Sequence, residues 1–156
     1  MRIGIIDLGT NSVRFSVYRI KSDGHSRLIY RSKQVLCLGR DVFSTGKLRT
    51  ENFELIVRTF SSFRRLSFQL GARRIIAVAT SALRESANAA QLTRAVKDRT
   101  GINLRIISGL EEARIIANGI TIHENEVDGL VALVDVGGGS AEISICQHHR
   151  VLHSAS

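Results

Sequence analysis

The sequence predicts a mixed α/β fold, and three observations carry that expectation. Its first third holds three apolar, partly alternating segments joined by tight turns, Arg2–Leu8, Val13–Ile20 and Arg27–Leu38. Beyond them, strand-like and helix-like periods alternate as far as about His123. The Asp-Gly hairpin of the first segments then returns near the end, which marks an internal repeat. Hairpin-joined strands followed by alternating strands and helices make a sheet with helices packed on it.

Each element has a local reason. Asp23-Gly24 supplies the turn between the second and third strands, and 39–47 reads as a polar loop. Thr50 is placed to cap a helix, with Glu51 and Glu54 in a first turn where the backbone dipole favours anions. Phe53, Ile56, Phe60, Phe63 and Leu70 follow at helical spacing and Gly71 stops the helix, so the Phe stripe reads as core packing. Arg74–Ala79 is the fourth strand, Asn88–Arg99 a second helix ended by Gly101, and Asn103–Ile107 the fifth strand. Ser108 opens a third helix, and 124–129 is a polar hinge.

The repeat is specific. Residues 7–17 (DLGTNSVRFSV) and 135–145 (DVGGGSAEISI) align over 11 positions without a gap. Asp, Gly and both Ser coincide, and apolar positions match apolar ones. Two similar lobes are therefore expected: residues 1–125 as the first, and 126–156 as the opening hairpin of the second. A two-stranded hairpin alone is marginal in water. The 130–156 segment is thus expected to dock on the first lobe, to stay mobile or, as the favoured outcome, to self-associate through its strand edge.

Bulk properties narrow the function. The 156 residues are 44% hydrophobic and 23% charged, ordinary for a globular protein. No run approaches the 18 or so apolar residues of a membrane span, and the start lacks the pattern of a signal peptide. Cys37 and Cys146 are far apart and form no CxxC, which fits a reducing cytoplasm and two buried strand residues. The net charge of +8 points to a polyanionic partner. Aromatics at 5% and the absence of Trp argue against a stacking platform for nucleic-acid strands. Arg64-Arg65 and Arg73-Arg74 read as solvated faces, and His148, His149 and His153 as a strand edge, because no acidic or Cys ligand stands among them.

The chemistry concentrates at the two glycine turns. Backbone N–H groups of such a turn converge on a phosphate oxygen, and the missing Cβ atoms let it approach. An Asp before the turn suits a divalent cation that bridges to the phosphate through water. Just beyond the first Ser, one copy has Arg14 and the other Glu142. Were the turns to face each other, Arg14 would clamp phosphate while Glu142 joined Asp135 on the cation. In ISGLEEAR, Ser108 and Glu111 have capping-box spacing. Glu112 is not needed for the cap, which leaves two readings open: a first-turn Glu favoured by the dipole, or a catalytic carboxylate.

DLGTNSVR (7–14), TSALRES (80–86), ISGLEEAR (107–114) and VDVGGGSAE (134–142), in this order and spacing, resemble the exopolyphosphatase/guanosine pentaphosphate phosphohydrolase (Ppx/GppA) family of the actin-like ATPase superfamily. The resemblance implies a ribonuclease-H-like lobe, repeated in the family, with the active site in the cleft between lobes. It makes Glu112 the catalytic residue that positions the attacking water. Asp135 and Glu142, with Asp7, become carboxylates around magnesium or another divalent cation. Asn11, Ser12, Arg14 and Arg84 join Gly137, Gly138, Gly139 and Ser140 as contacts to substrate phosphates. The implied reaction is hydrolysis of a terminal phosphoanhydride of polyphosphate or guanosine pentaphosphate, expected to be impaired in a chain with so little of a second lobe. A non-enzymatic module binding polyphosphate or guanosine tetraphosphate, and a kinase or ATPase of the same superfamily, are the competing expectations.

Overall fold

The structure is a computed structural model that describes residues 1–121, 129–147 and 150–156. Most of the expected 124–129 hinge, together with His148 and His149, lies outside the described residues. The chain divides into two compact units, Met1–Ile106 and Ile107–Ser156.

The first unit is built on a five-stranded sheet. Its strands are β1 (Arg2–Leu8), β2 (Ser12–Ile20), β3 (Ser26–Val35), β4 (Arg74–Ala79) and β5 (Leu104–Ile106), in the order β3-β2-β1-β4-β5. The hairpin strands pair antiparallel, whereas β4 joins β1, and β5 joins β4, in parallel through helical crossovers. Strand period decides which residues enter the core. Gly4, Ile6 and Leu8 share one face with Val13, Phe15 and Val17, and all six are buried. Helix α2 (Thr50–Gln69) covers that face with Ile56, Phe60 and Phe63, and the Phe63 ring stacks on Phe15 at 4.8 Å. The Phe stripe is core, as its spacing predicts, and both arginine pairs are exposed.

Four local expectations are corrected. The 39–47 loop contains helix α1 (Leu38–Thr45), whose buried Leu38 and Val42 lie one turn apart. So short a helix gains its stability from packing, which leaves little sequence signal. Thr50 is the first helical residue of α2; Arg49 is the N-cap and makes no side-chain cap bond. The Arg49 guanidinium pairs instead with buried Asp41 at 2.9 Å, and Asn52 donates to the same carboxylate at 2.6 Å, so α1 and α2 are joined there. Between β4 and helix α4 (Ala89–Thr100) lies a further short helix, α3 (Ser81–Arg84). Cys37 is exposed with φ 52°, although Cys146 is buried as expected.

The second unit is a three-stranded antiparallel sheet, β6 (Leu130–Val136), β7 (Ala141–Gln147) and β8 (Arg150–Ala155), with helix α5 (Gly109–Thr121) packed on one face. The terminal segment is therefore more than the strand pair expected: β8 pairs with β7, and α5 packs on both. Ser144 Oγ meets Ser154 Oγ across the strands at 2.9 Å and donates to the Ala113 carbonyl of α5 at 3.4 Å. Ser108 Oγ accepts the Glu111 N–H at 3.1 Å, the N-cap half of the predicted box. Ser108→Ala is expected to lower stability by about 0.5–2 kcal/mol, the usual scale for a lost cap, as read from the midpoint of urea unfolding. No helix among the described residues is long and apolar enough to cross a membrane.

Candidate functional site

The repeat read in the sequence is a repeat in structure. In the first unit Gly9 N–H donates to the Ser12 carbonyl at 2.9 Å, and in the second Gly137 N–H donates to the Ser140 carbonyl at 2.9 Å. The flanking register agrees as well. Asp7 lies opposite Arg14 and Leu8 opposite Val13; Asp135 lies opposite Glu142 and Val136 opposite Ala141. Identical turns have thus been given different charges across the strands, an Asp/Arg pair in one and an Asp/Glu pair in the other.

The glycines are not there for a left-handed backbone. Among the described glycines, positive φ occurs at Gly24, Gly46, Gly71, Gly101 and Gly129, and at none of either turn. Crowding accounts for part of the choice, since a Cβ on Gly137 would stand 3.3 Å from the Ser140 carbonyl oxygen. It does not explain two further glycines in a row, whose backbone entropy costs stability. Gly137, Gly138 and Gly139 are all exposed at the tip, where a ligand has access to the backbone.

Other segments of the first unit gather at its turn. The Asn11 carbonyl accepts from Leu36 N–H at 2.9 Å and Cys37 N–H at 3.1 Å, and the Thr10 carbonyl accepts from Gly39 N–H at 3.2 Å. The start of α1 is thereby latched to the turn. A Cβ on Gly39 would come within 2.5 Å of the methyl carbon of buried Thr10. Gly39→Ala is therefore expected to destabilise the chain by about 1–3 kcal/mol through overpacking, measured by thermal unfolding. This latch escaped the sequence reading; the Leu-Gly step before Arg40 was its only trace. At the same sheet end, Thr80 N–H donates to the Leu8 carbonyl at 3.2 Å, which sets α3 and half-buried Arg84 beside the end of β1. Asn11, Ser12, Arg14 and Arg84 thus all belong to the first unit, three on the Gly9 turn and its outgoing strand and one on the adjoining helix. Burial pushes the Asp7 carboxyl above its ordinary range, and the Arg14 charge across the strands pulls it partly back.

The second unit holds the remaining candidates. Asp135 and Glu142 are cross-strand partners and share the face on which α5 packs. Like charges directly opposite repel. Glu142 is nevertheless 2% exposed, and its carboxylate accepts a hydrogen bond from Ser156 Oγ at 3.1 Å. Such a pair gains from a cation between its members. Among the described residues no group of three or more His, Cys, Asp or Glu gathers as a cage. Two carboxylates fit magnesium, which keeps most of its waters and takes one or two protein carboxylates. Glu112 stands in the first turn of α5, half-buried, its N–H donating to the Ser108 carbonyl at 2.9 Å. Ala113, the next residue, meets Ser144, two positions along the same face of β7 from Glu142. The second unit thus carries the glycine turn, the adjoining Asp135/Glu142 pair, and Glu112 next to the α5 residue that meets β7.

The same fold and a similar sequence occur in known proteins. The chain is 29% identical to Exopolyphosphatase 1 of Mycobacterium leprae over 144 residues, covering 92% of this chain and 42% of that protein. The crystal structure of an exopolyphosphatase from Cytophaga hutchinsonii superposes with a TM-score of 0.92 at 28% identity, over 99% of this chain and 49% of that one. The crystal structure of the Aquifex aeolicus member of the Ppx/GppA family gives a TM-score of 0.87 at 30% identity, over 99% and 50%. The chain spans about half the length of the relatives it matches. The family model for Ppx/GppA phosphatases covers residues 16–156, and with the paired glycine turns and the actin-like fold this makes the chain a member of the Ppx/GppA phosphatase family.

Proposed function

We propose that the protein works in magnesium-dependent hydrolysis of a terminal phosphoanhydride, with inorganic polyphosphate or guanosine pentaphosphate as substrate. The reading is supported by the second unit holding the Gly137–Ser140 turn, the adjoining Asp135/Glu142 pair and, one residue from the contact between α5 and β7, Glu112.

In this reading the N–H groups of the glycine turn beyond Gly137, whose own N–H is bonded to the Ser140 carbonyl, hold phosphate oxygens. Asp135 and Glu142 would hold the cation, which when bound supplies positive charge to the phosphate oxygens of the leaving group. Glu112 orients the water. A carboxylate in the first turn of a helix is stabilised as the anion, which makes it a weak base. Phosphoryl transfer passes through a loose transition state that needs little activation of the nucleophile. Placement of the water is then the contribution of Glu112, with its proton leaving late. Asn11, Ser12, Arg14 and Arg84 bind further phosphate oxygens in the same reading, the arginines as charged forks.

Asp135→Asn is expected to weaken the dependence of phosphate release on magnesium, shifting the activating concentration upward by about tenfold, as one charged ligand of a weakly held hard cation is lost. Phosphate release measured against magnesium concentration, on the chain extended to the length of its relatives, checks this. An unchanged magnesium profile would contradict the assignment of the pair. Self-association belongs to the proposal too. β6 is an edge strand, and its Leu130, Val134 and Val136 are exposed on the sheet face away from α5. Light scattering on this 156-residue chain is expected to show a mass above the monomer, reduced to the monomer by Val134→Lys.

A further inference from the structure

We propose a second anion site in the first unit, at the opposite end of the sheet from the Gly9 turn, which takes an inorganic oligophosphate. A cavity of about 780 Å³ opens where β1 begins and β2 ends, and Arg2, Arg19, Lys21, Asp23 and Gly71 are among its walls.

Its charge is unusual for a sheet end. Arg2 and Arg19 are direct cross-strand partners. The neighbouring pair, Met1 and Ile20, exchanges both backbone hydrogen bonds, at 2.7 and 2.8 Å. Alternation then makes Arg2/Arg19 the closer, non-hydrogen-bonded kind of pair, with side chains leaving one face side by side. Like charges so placed destabilise a sheet unless something neutralises them. Arg2 spends one donor on the Leu70 carbonyl at 2.7 Å, which anchors its guanidinium at the end of α2 and leaves other N–H groups of the fork. Among the described residues, the side chains of Lys21 and Arg19 make no hydrogen bond or ion pair.

The acid in the wall does not discharge them. Asp23 Oδ1 accepts the His25 N–H at 3.0 Å and lies 3.3 Å from the His25 ring, so it is engaged in closing the β2–β3 turn. The turn is held rigid by Lys21 N–H to the His25 carbonyl at 2.9 Å, which fixes where the Lys21 side chain starts. Gly71, at φ 70°, presents bare backbone beside Arg2. Three cationic side chains around an open cavity fit a multiply charged phosphate chain, bound through forked and point-charge donors. No aromatic side chain stands in the wall to stack a base. The bare chain is thus favoured over a nucleotide. β1 separates this cavity from the Gly9 turn by about 20 Å at the usual rise per strand residue, so the two bind independently.

The test titrates sodium tripolyphosphate into the parent and into R19Q/K21Q without magnesium, following backbone amides by NMR. Saturable shifts at 19–24 and Gly71 are expected in the parent, with affinity at least tenfold weaker in the double variant and unchanged shifts at 9–12. Arg19→Lys, which keeps the charge, should retain most of the binding, and circular dichroism checks that each variant folds. Equal affinity in parent and R19Q/K21Q would overturn the site, as would identical shifts from sodium sulfate at matched ionic strength. GTP binding more tightly than tripolyphosphate would overturn the preference for a bare chain.

Discussion

Replacing Glu112 by Gln is expected to remove most phosphate release, by about 10²- to 10⁴-fold, the range for losing a positioned acid or base group. The substitution keeps the side chain's shape and removes an acceptor that a water molecule needs. Glu112 is in the first turn of α5, beside Ala113, whose carbonyl meets Ser144 on the strand that carries Glu142. Stability should change little, because Ser108 caps the helix through the Glu111 N–H and not through Glu112. The reaction is followed as orthophosphate release from polyphosphate and from guanosine pentaphosphate, in a chain of the relatives' full length. Retained turnover in a folded variant would return Glu112 to its other reading, a first-turn anion favoured by the helix dipole.

The second large effect is expected at Gly138. Valine there places a branched side chain on an exposed turn tip whose flanks, the Asp135/Glu142 and Val136/Ala141 pairs, stay paired. Folding should survive, whereas approach of phosphate to the backbone should not. The bulk separates phosphate from backbone donors whose bonds to a charged group are each worth about 1.5–3 kcal/mol, so a loss of at least about tenfold in phosphate-chain affinity is expected, read by calorimetry. Parental affinity in Gly138→Val would mean that the triple glycine serves something other than a phosphate cradle.

Much of this was legible in the sequence, for reasons that differ by element. The strands and α2 announce themselves because burial on one face imposes a period: Ile6, Leu8, Val13, Phe15 and Val17 alternate, and Ile56, Phe60 and Phe63 recur at helical spacing. The two turns could be matched because the aligned residues have one geometry, down to the Gly N–H to Ser carbonyl bond. Other features left no period to read. Helices α1 and α3 have 8 and 4 residues and are fixed by long-range bonds such as Gly39 to Thr10 and Thr80 to Leu8. Exposure of Cys37 follows from its left-handed position at the entry to α1, which no neighbouring residue announces. Helix α5 was counted with the first lobe because it follows β5 in the chain, yet its buried Ala113 and Ala117 belong to the unit of β6–β8. The basic cavity has no signature in the sequence because Arg2 and Arg19 become neighbours only through the β1–β2 register.

The central claim is that both glycine turns are phosphate cradles, and that Asp135 and Glu142 bring a cation to one of them. A backbone-amide NMR titration with tripolyphosphate, run with and without magnesium, tests it most directly. The account predicts saturable shifts at Gly9–Ser12 and at Gly137–Ser140, with magnesium strengthening the response at Gly137–Ser140 in the parent but not in Asp135→Asn. Shifts absent from both turns at saturating tripolyphosphate, with or without magnesium, would contradict it.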